Sequence, residues 1–199
     1  MVKIKYLFLL FSAICLISCG ATDDKDDIQS YLDETSRLYQ QRNEDTATIS
    51  AVLTEGLTKH PDSIPLLQSR ANLYCSRGML QECRADTQHL LKLKPNLIEA
   101  RMMLCMLDEF EGGDEEAYGA CYHEVVNIMV TQPKRSSSDK EISDQFNYVF
   151  ALLMANSPDA EKEKAAFLSR VESEPQAGIY QGILNNFNRK QALRDVFGK

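Results

Sequence analysis

Apolar residues recur along most of this chain at intervals of three and four, the spacing that lines one face of a helix. Between Ile28 and Gln41 that face holds Leu32, Thr35, Ser36 and Tyr39. Asn43, Glu44 and Asp45 make a turn, and a second helix runs through Ile49, Val52, Leu53 and Leu57 to His60-Pro61. Ser63 to Pro95 reads as two helices about a turn at Gly78. Asn96 offers a cap with Glu99 closing a capping box, and Gly112-Gly113 marks the next turn. The helix after it continues through Val125, Val126, Ile128 and Met129 until Gln132-Pro133 ends it.

Beyond Pro133, the stretch PKRSSSD is a loop by composition, and Ser138 with Glu141 suggests another capping box. A helix through Ile142, Phe146, Val149, Phe150 and Leu153 follows. Ser157-Pro158 combines a capping residue with proline at the first helical position. The helix it opens carries Ala165, Phe167, Leu168 and Val171 and stops at Pro175. Ile179 to Phe197 suggests one or two capping helices, and no stretch alternates as a strand would. The expected fold class is all-α.

The first 18 residues follow a different pattern. Lys3 and Lys5 precede the apolar run YLFLLFSAICLIS, about 13 residues, short for a bilayer span and typical of a signal segment. Leu16-Ile17-Ser18-Cys19 resembles the lipobox of bacterial lipoproteins, in which cleavage precedes a cysteine that carries diacylglycerol. An ordinary secretory signal with a chance cysteine is the alternative. The resemblance implies lipidation at Cys19, and Gly20 after it implies the outer membrane with the chain facing the periplasm. Residues 19–29, with the run Asp23-Asp24-Lys25-Asp26-Asp27, then read as a solvated acidic tether.

Pro61 lies 34 residues before Pro95, and Gly78 lies 34 before Gly112. Within Ser63–Pro95, Leu67, Ala71, Tyr74, Gly78, Cys83 and Pro95 stand where a tetratricopeptide repeat has its Trp, Gly, Tyr, turn, small and closing Pro positions. The stretch resembles one complete unit of that family. The next unit departs from the pattern: Arg101 replaces the Trp, and there is no closing Pro. The resemblance implies a short right-handed solenoid of helical hairpins over residues 30–133. Residues 134–199 would add a degenerate hairpin and capping helices. It also implies a concave groove lined by Gln68, Asn72 and Cys75 from one unit and Met102, Met106, Glu109 and Phe110 from the next. Such a groove receives peptide segments of a protein partner. Equally, the Met and Phe residues could form core beneath the C-terminal helices.

An apolar content of 44% supports a packed core. The formal charge of −7 deepens once the signal is gone, since it holds two of the 22 basic residues and none of the 29 acids. So acidic a chain lacks the concentrated Lys and Arg that phosphate contacts require, which argues against nucleic acid.

Four cysteines follow Cys19, an even number that favours disulfides in an exported protein. Cys75 and Cys83 are centred on Met79, and Cys105 and Cys121 on Gly113. Facing positions about a hairpin turn favour the pairs Cys75–Cys83 and Cys105–Cys121. A Cys83–Cys105 bridge is the alternative, and small core thiols are a third reading.

Their spacings contain no Cys-x-x-Cys, and His60, His89 and His123 form no His-Glu-x-x-His, so neither a metal nor a cofactor is expected. Ser137-Ser138-Asp139-Lys140 matches Ser-x-x-Lys by chance in a polar loop. The acids around Gly112-Gly113 do not have the spacing of a calcium loop and read as a solvated turn. The expectation is a non-enzymatic scaffold or adaptor for envelope assembly or secretion. An immunity lipoprotein that neutralises a periplasm-acting toxin is the alternative.

Overall fold

The computed structural model describes residues 24–41, 45–131 and 138–198, the side chains of residues 138–140 excepted. The signal segment, Cys19, the loop after Pro133, Ser137 and the Ser138 side chain lie outside it. The protein is all-α, with no strand among the described residues. Helix α1 covers residues 24–40. It is followed by α2 (Thr46–Lys59), α3 (Ile64–Ser76), α4 (Leu80–Leu93), α5 (Ile98–Phe110) and α6 (Glu115–Thr131). Then come α7 (Ser138–Met154), α8 (Ala160–Arg170), α9 (Ala177–Asn185) and α10 (Arg189–Phe197). The chain divides into two compact units, the first ending at Leu73 and the second beginning at Tyr74, within α3.

In the first unit, Ile49, Leu53 and Leu57 of α2 and Leu66 and Leu67 of α3 are buried at helical spacing, as their periodicity predicts. Asp45 caps α2 by accepting from the Ala47 N–H at 3.0 Å. The acidic stretch from Asp24 onward is helical and mostly exposed, the beginning of α1. Carboxylates are favoured in a first helical turn, where the exposed N–H groups carry partial positive charge. Asp27 also holds His60, 3.0 Å away, at the end of α2.

In the second unit, successive helices from α4 to α9 pack against one another. Three of its helix ends share one hydrogen-bond pattern. Gly78 N–H donates to Cys75 C=O and Met79 N–H to Tyr74 C=O, at 3.0 and 2.9 Å. Gly112 donates to Glu109 and Gly113 to Asp108, at 3.1 and 2.8 Å. Asn156 donates to Leu153 and Ser157 to Leu152, at 3.2 and 2.9 Å. Each is a Schellman end, which requires a left-handed residue after the helix. Gly78, Gly112 and Asn156 have φ of 68°, 79° and 50°. The first two are the glycines 34 residues apart, and Asn156 gives the third hairpin the same turn.

Two caps differ from the sequence expectation. Leu97, not Asn96, is the N-cap of α5, because the chain turns in one residue later and Leu97 is buried in doing so. Helix α8 begins at Ala160, and Ser157 precedes it in a turn, its Oγ accepting from the Asp159 N–H at 3.3 Å. Tandem Asp114 behaves as a helix opener should, with Oδ1 accepting from Ala117 N–H at 2.9 Å before α6.

Two apolar clusters organise this unit. One gathers Cys75, Cys83, Cys105, Met106, Leu107 and Tyr122 with Leu193 and Phe197 of α10. The other gathers Val149, Phe167, Val171 and Leu184, with Phe146 and Tyr180 packed on it. The four cysteine sulfurs lie in two pairs at bonding distance, Cys75 with Cys83 and Cys105 with Cys121. Their Cα separations of 5.1 and 5.7 Å are ordinary for disulfides. This is the pairing favoured by the two hairpin centres, and each pair joins the two helices of one hairpin.

Candidate functional site

Within the second unit, the residues expected to line the groove on α5 pack on or within the cluster that includes the C-terminal helix, and Phe110 and Glu109 touch that helix. Met106 is only 3% exposed and belongs to the same cluster as Leu193 and Phe197. Met102 and Phe110 are half-buried against that cluster, and the Phe110 ring lies 4.8 Å from that of Phe197. Cys75 is 1% exposed and paired with Cys83. In the first unit, Gln68 is half-buried and Asn72 exposed. On α5, therefore, α10 meets Glu109 and Phe110, two of the residues that the repeat resemblance assigns to a partner, and Met106 is core.

Arg189 at the start of α10 fastens this arrangement. Its Nε lies 2.7 Å from Glu109 Oε1, although the N–H is not aimed closely enough to make a formed hydrogen bond. Its guanidinium lies 5.3 and 5.2 Å from the Tyr118 and Tyr122 ring centres, within reach of a cation–π attraction. Tyr122, fully buried, donates its hydroxyl to Glu109 Oε2 at 2.8 Å. At the other end, Gly198 is left-handed, with φ of 66°, and an added Cβ would sit 2.5 Å from the Ser76 carbonyl oxygen. Only glycine closes α10 this tightly against that backbone.

Burial first, and then the bond to the Glu109 carboxylate, push the Tyr122 phenol far above the ordinary tyrosine range. A raised folded-state pKa stabilises the fold fully below the unfolded value of about 10 and loses that contribution as pH rises beyond it. Denaturation free energy measured across alkaline pH is therefore expected to fall more gently in Tyr122→Phe than in wild type. The difference between the two slopes approaches at most about 1.4 kcal/mol per pH unit. Parallel slopes would remove Tyr122 as the cause.

Of the acids around Gly112-Gly113, Asp108, Glu109, Glu111 and Asp114 are engaged in structure. Arg84 of α4 donates to Asp108 Oδ1 at 2.7 Å and also binds Glu111, linking two hairpins. Arg101, in the position where the repeat has Trp, donates to Glu124 Oε1 and to the Pro95 carbonyl, both at 2.9 Å. Among the described residues, no three or more His, Cys, Asp or Glu side chains are grouped to hold a metal ion. No helix among them is long and apolar enough to cross a membrane.

A second surface was not anticipated from the sequence. A groove of about 750 Å³ opens between the start of α5, the end of α6, and α7 and α8. Ile98, Met129 and Val130 supply its accessible apolar surface, with Leu97, Val149 and Phe167 buried beneath them. Val130 is 66% exposed there, the most exposed large apolar residue in the described chain. Polar positions on its walls include Glu99, Glu141, Asp144, Tyr148 and Glu163, against Lys94 and Arg170. Its residues come from four helices, so no local sequence signal marked it.

Compared with family models, with curated proteins and with solved structures, the chain has no significant match.

Proposed function

We propose that this chain is a non-enzymatic lipoprotein, anchored in the outer membrane through Cys19, whose right-handed stack of helical hairpins holds a protein partner in the periplasm. The observation that carries the reading is the Schellman turn repeated at Gly78, Gly112 and Asn156. The hairpins so closed pack on their neighbours in sequence, and stacked hairpins present continuous surfaces suited to binding. The Leu-Ile-Ser-Cys sequence supports the anchor, and two cysteine pairs at bonding distance are compatible with an oxidising compartment. With α10 packed on Phe110 and Glu109 of α5, the reading places the partner of this unit on another surface.

The anchor is tested by growing cells with labelled palmitate. Wild type is expected to incorporate label and Cys19→Ala to lose it; equal labelling of the two would end the lipoprotein reading. Affinity capture by the anchored chain then tests the scaffold. Recovery of an assembly or secretion component is expected, whereas a toxin domain as the sole partner would identify an immunity protein instead.

A further inference from the structure

We infer that the groove between α5, α6, α7 and α8 is a docking site for a basic amphipathic helix of a partner protein, an inference that rests on the scaffold reading above. The apolar surface sets the first requirement. Ile98, Met129 and Val130 bring accessible apolar surface to one trough, over the buried Leu97, Val149 and Phe167, and Val130 at its wall remains largely exposed. Covering such a surface removes apolar area from water, which favours an occupant with an apolar face.

Charge sets the second requirement. Of the two cations in the walls, Arg170 is already held by Glu141, with Nη2 to Oε1 at 3.1 Å, which leaves Lys94 alone against Glu99, Asp144 and Glu163, an excess of acid. Glu163 has a loose pairing with the exposed Lys162 at 3.6 Å. Glu99 and Asp144, both exposed, have no partner among the described residues. The trough is thus apolar along its surface and acidic along its edges, complementary to Lys and Arg flanking an apolar stripe. Tyr148 adds a hydroxyl without a partner among the described residues. Burial first, and then Glu163 and Asp159, push its phenol upward, so it stays a neutral donor at physiological pH.

Backbone chemistry decides between a helix and an extended segment. A strand needs a sheet edge to satisfy its N–H and C=O groups, and the described residues contain no strand. A helix satisfies those groups internally and presents anchors at i, i+3, i+4 and i+7, so it can lie on an apolar surface without leaving polar backbone unpaired.

The test uses the full chain in nonionic detergent, titrated with two fluorescein-labelled helical peptides of two heptads, one of Leu and Lys and the other of Leu and Glu. Wild type is expected to prefer the Leu/Lys peptide by about tenfold or more, and to lose much of that preference at high salt. Glu99→Lys with Asp144→Lys, both changes at exposed positions, is expected to reverse the preference. Val130→Asn should weaken Leu/Lys binding severalfold without altering the order. Thermal melting checks that each variant is folded.

Equal binding of both peptides by wild type, or an unchanged preference after charge reversal, would overturn the proposal. So would sedimentation showing a wild-type dimer that the reversal dissociates, since the occupant would then be a second copy. If an envelope partner captured by the anchored chain is indifferent to the reversal, the groove proposal falls while the scaffold reading stands. Failure of capture with the peptide preference intact would have the opposite meaning.

Discussion

Phe197→Ala is expected to destabilise the protein by about 3–5 kcal/mol, the usual cost of emptying a buried phenylalanine site. Phe197 is fully buried although it lies two residues from the end of the chain. Its ring meets Phe110, and it shares a cluster with Met106, Leu107 and Cys75. Helix α10 has only nine residues, too few to persist alone in water, since isolated helices shorter than about 12–15 residues are marginal. Its order therefore depends on packing, and Phe197 and Leu193 are its two buried anchors.

Beyond creating a cavity, the substitution is expected to loosen α10 and expose the face of α5 around Met102 and Phe110. Urea denaturation measures the loss, and hydrogen exchange is expected to rise together at residues 189–197 and 102–110. A change below about 1 kcal/mol with unaltered exchange would show that α10 contributes little to the core. Asn188→Ala, which removes the cap that accepts from Gln191 N–H at 2.9 Å, should produce a smaller loss of about 1 kcal/mol.

Removing either cysteine pair is expected to have an effect approaching that of Phe197→Ala. The sequence separations are 8 and 16 residues. In the chain-entropy account, closing loops of those lengths stabilises the fold by roughly 3 kcal/mol each, the longer loop slightly more. Alanine is the appropriate replacement because Cys75, Cys83 and Cys105 are 1% exposed or less; serine would bury a hydroxyl as well.

The midpoint of denaturation is expected to fall for Cys75→Ala with Cys83→Ala, to fall somewhat further for Cys105→Ala with Cys121→Ala, and to drop in wild type on adding reductant. Peptide mapping without reductant is expected to recover the two linked fragments. Four alkylatable thiols, together with a midpoint insensitive to reductant, would contradict the bridges.

The helices and their turns were legible because the signals for them are short-ranged. The three-and-four spacing of Ile49, Leu53 and Leu57 places them on one buried face wherever the helix packs. Gly78 and Gly112 mark their turns because a left-handed residue is strained with most side chains. The third such turn was missed because Asn156 performs it, a residue that tolerates the left-handed region without advertising it as glycine does. The shift from Asn96 to Leu97 at the start of α5 was equally hidden, because a capping signal competes with burial and burial prevailed.

Placement of the candidate surfaces was not local in this way. Met102, Met106 and Phe110 have the same spacing whether they face a partner or α10. Glu109 carries no sign in sequence that its contacts are Tyr122 and Arg189. The groove draws its residues from four helices, and Val130 reads as an ordinary apolar position until its exposure is known.

By itself, then, the sequence determined the all-α class, the main helices and the two glycine turns, since these depend on interactions within one or two helical turns. Tertiary structure alone decided that α10 packs on Phe110 and Glu109 of α5, and that an apolar, acid-edged groove stays open between α5, α6, α7 and α8. Both outcomes depend on which helix faces compete for the same apolar partners, and that competition is settled between residues far apart in the chain.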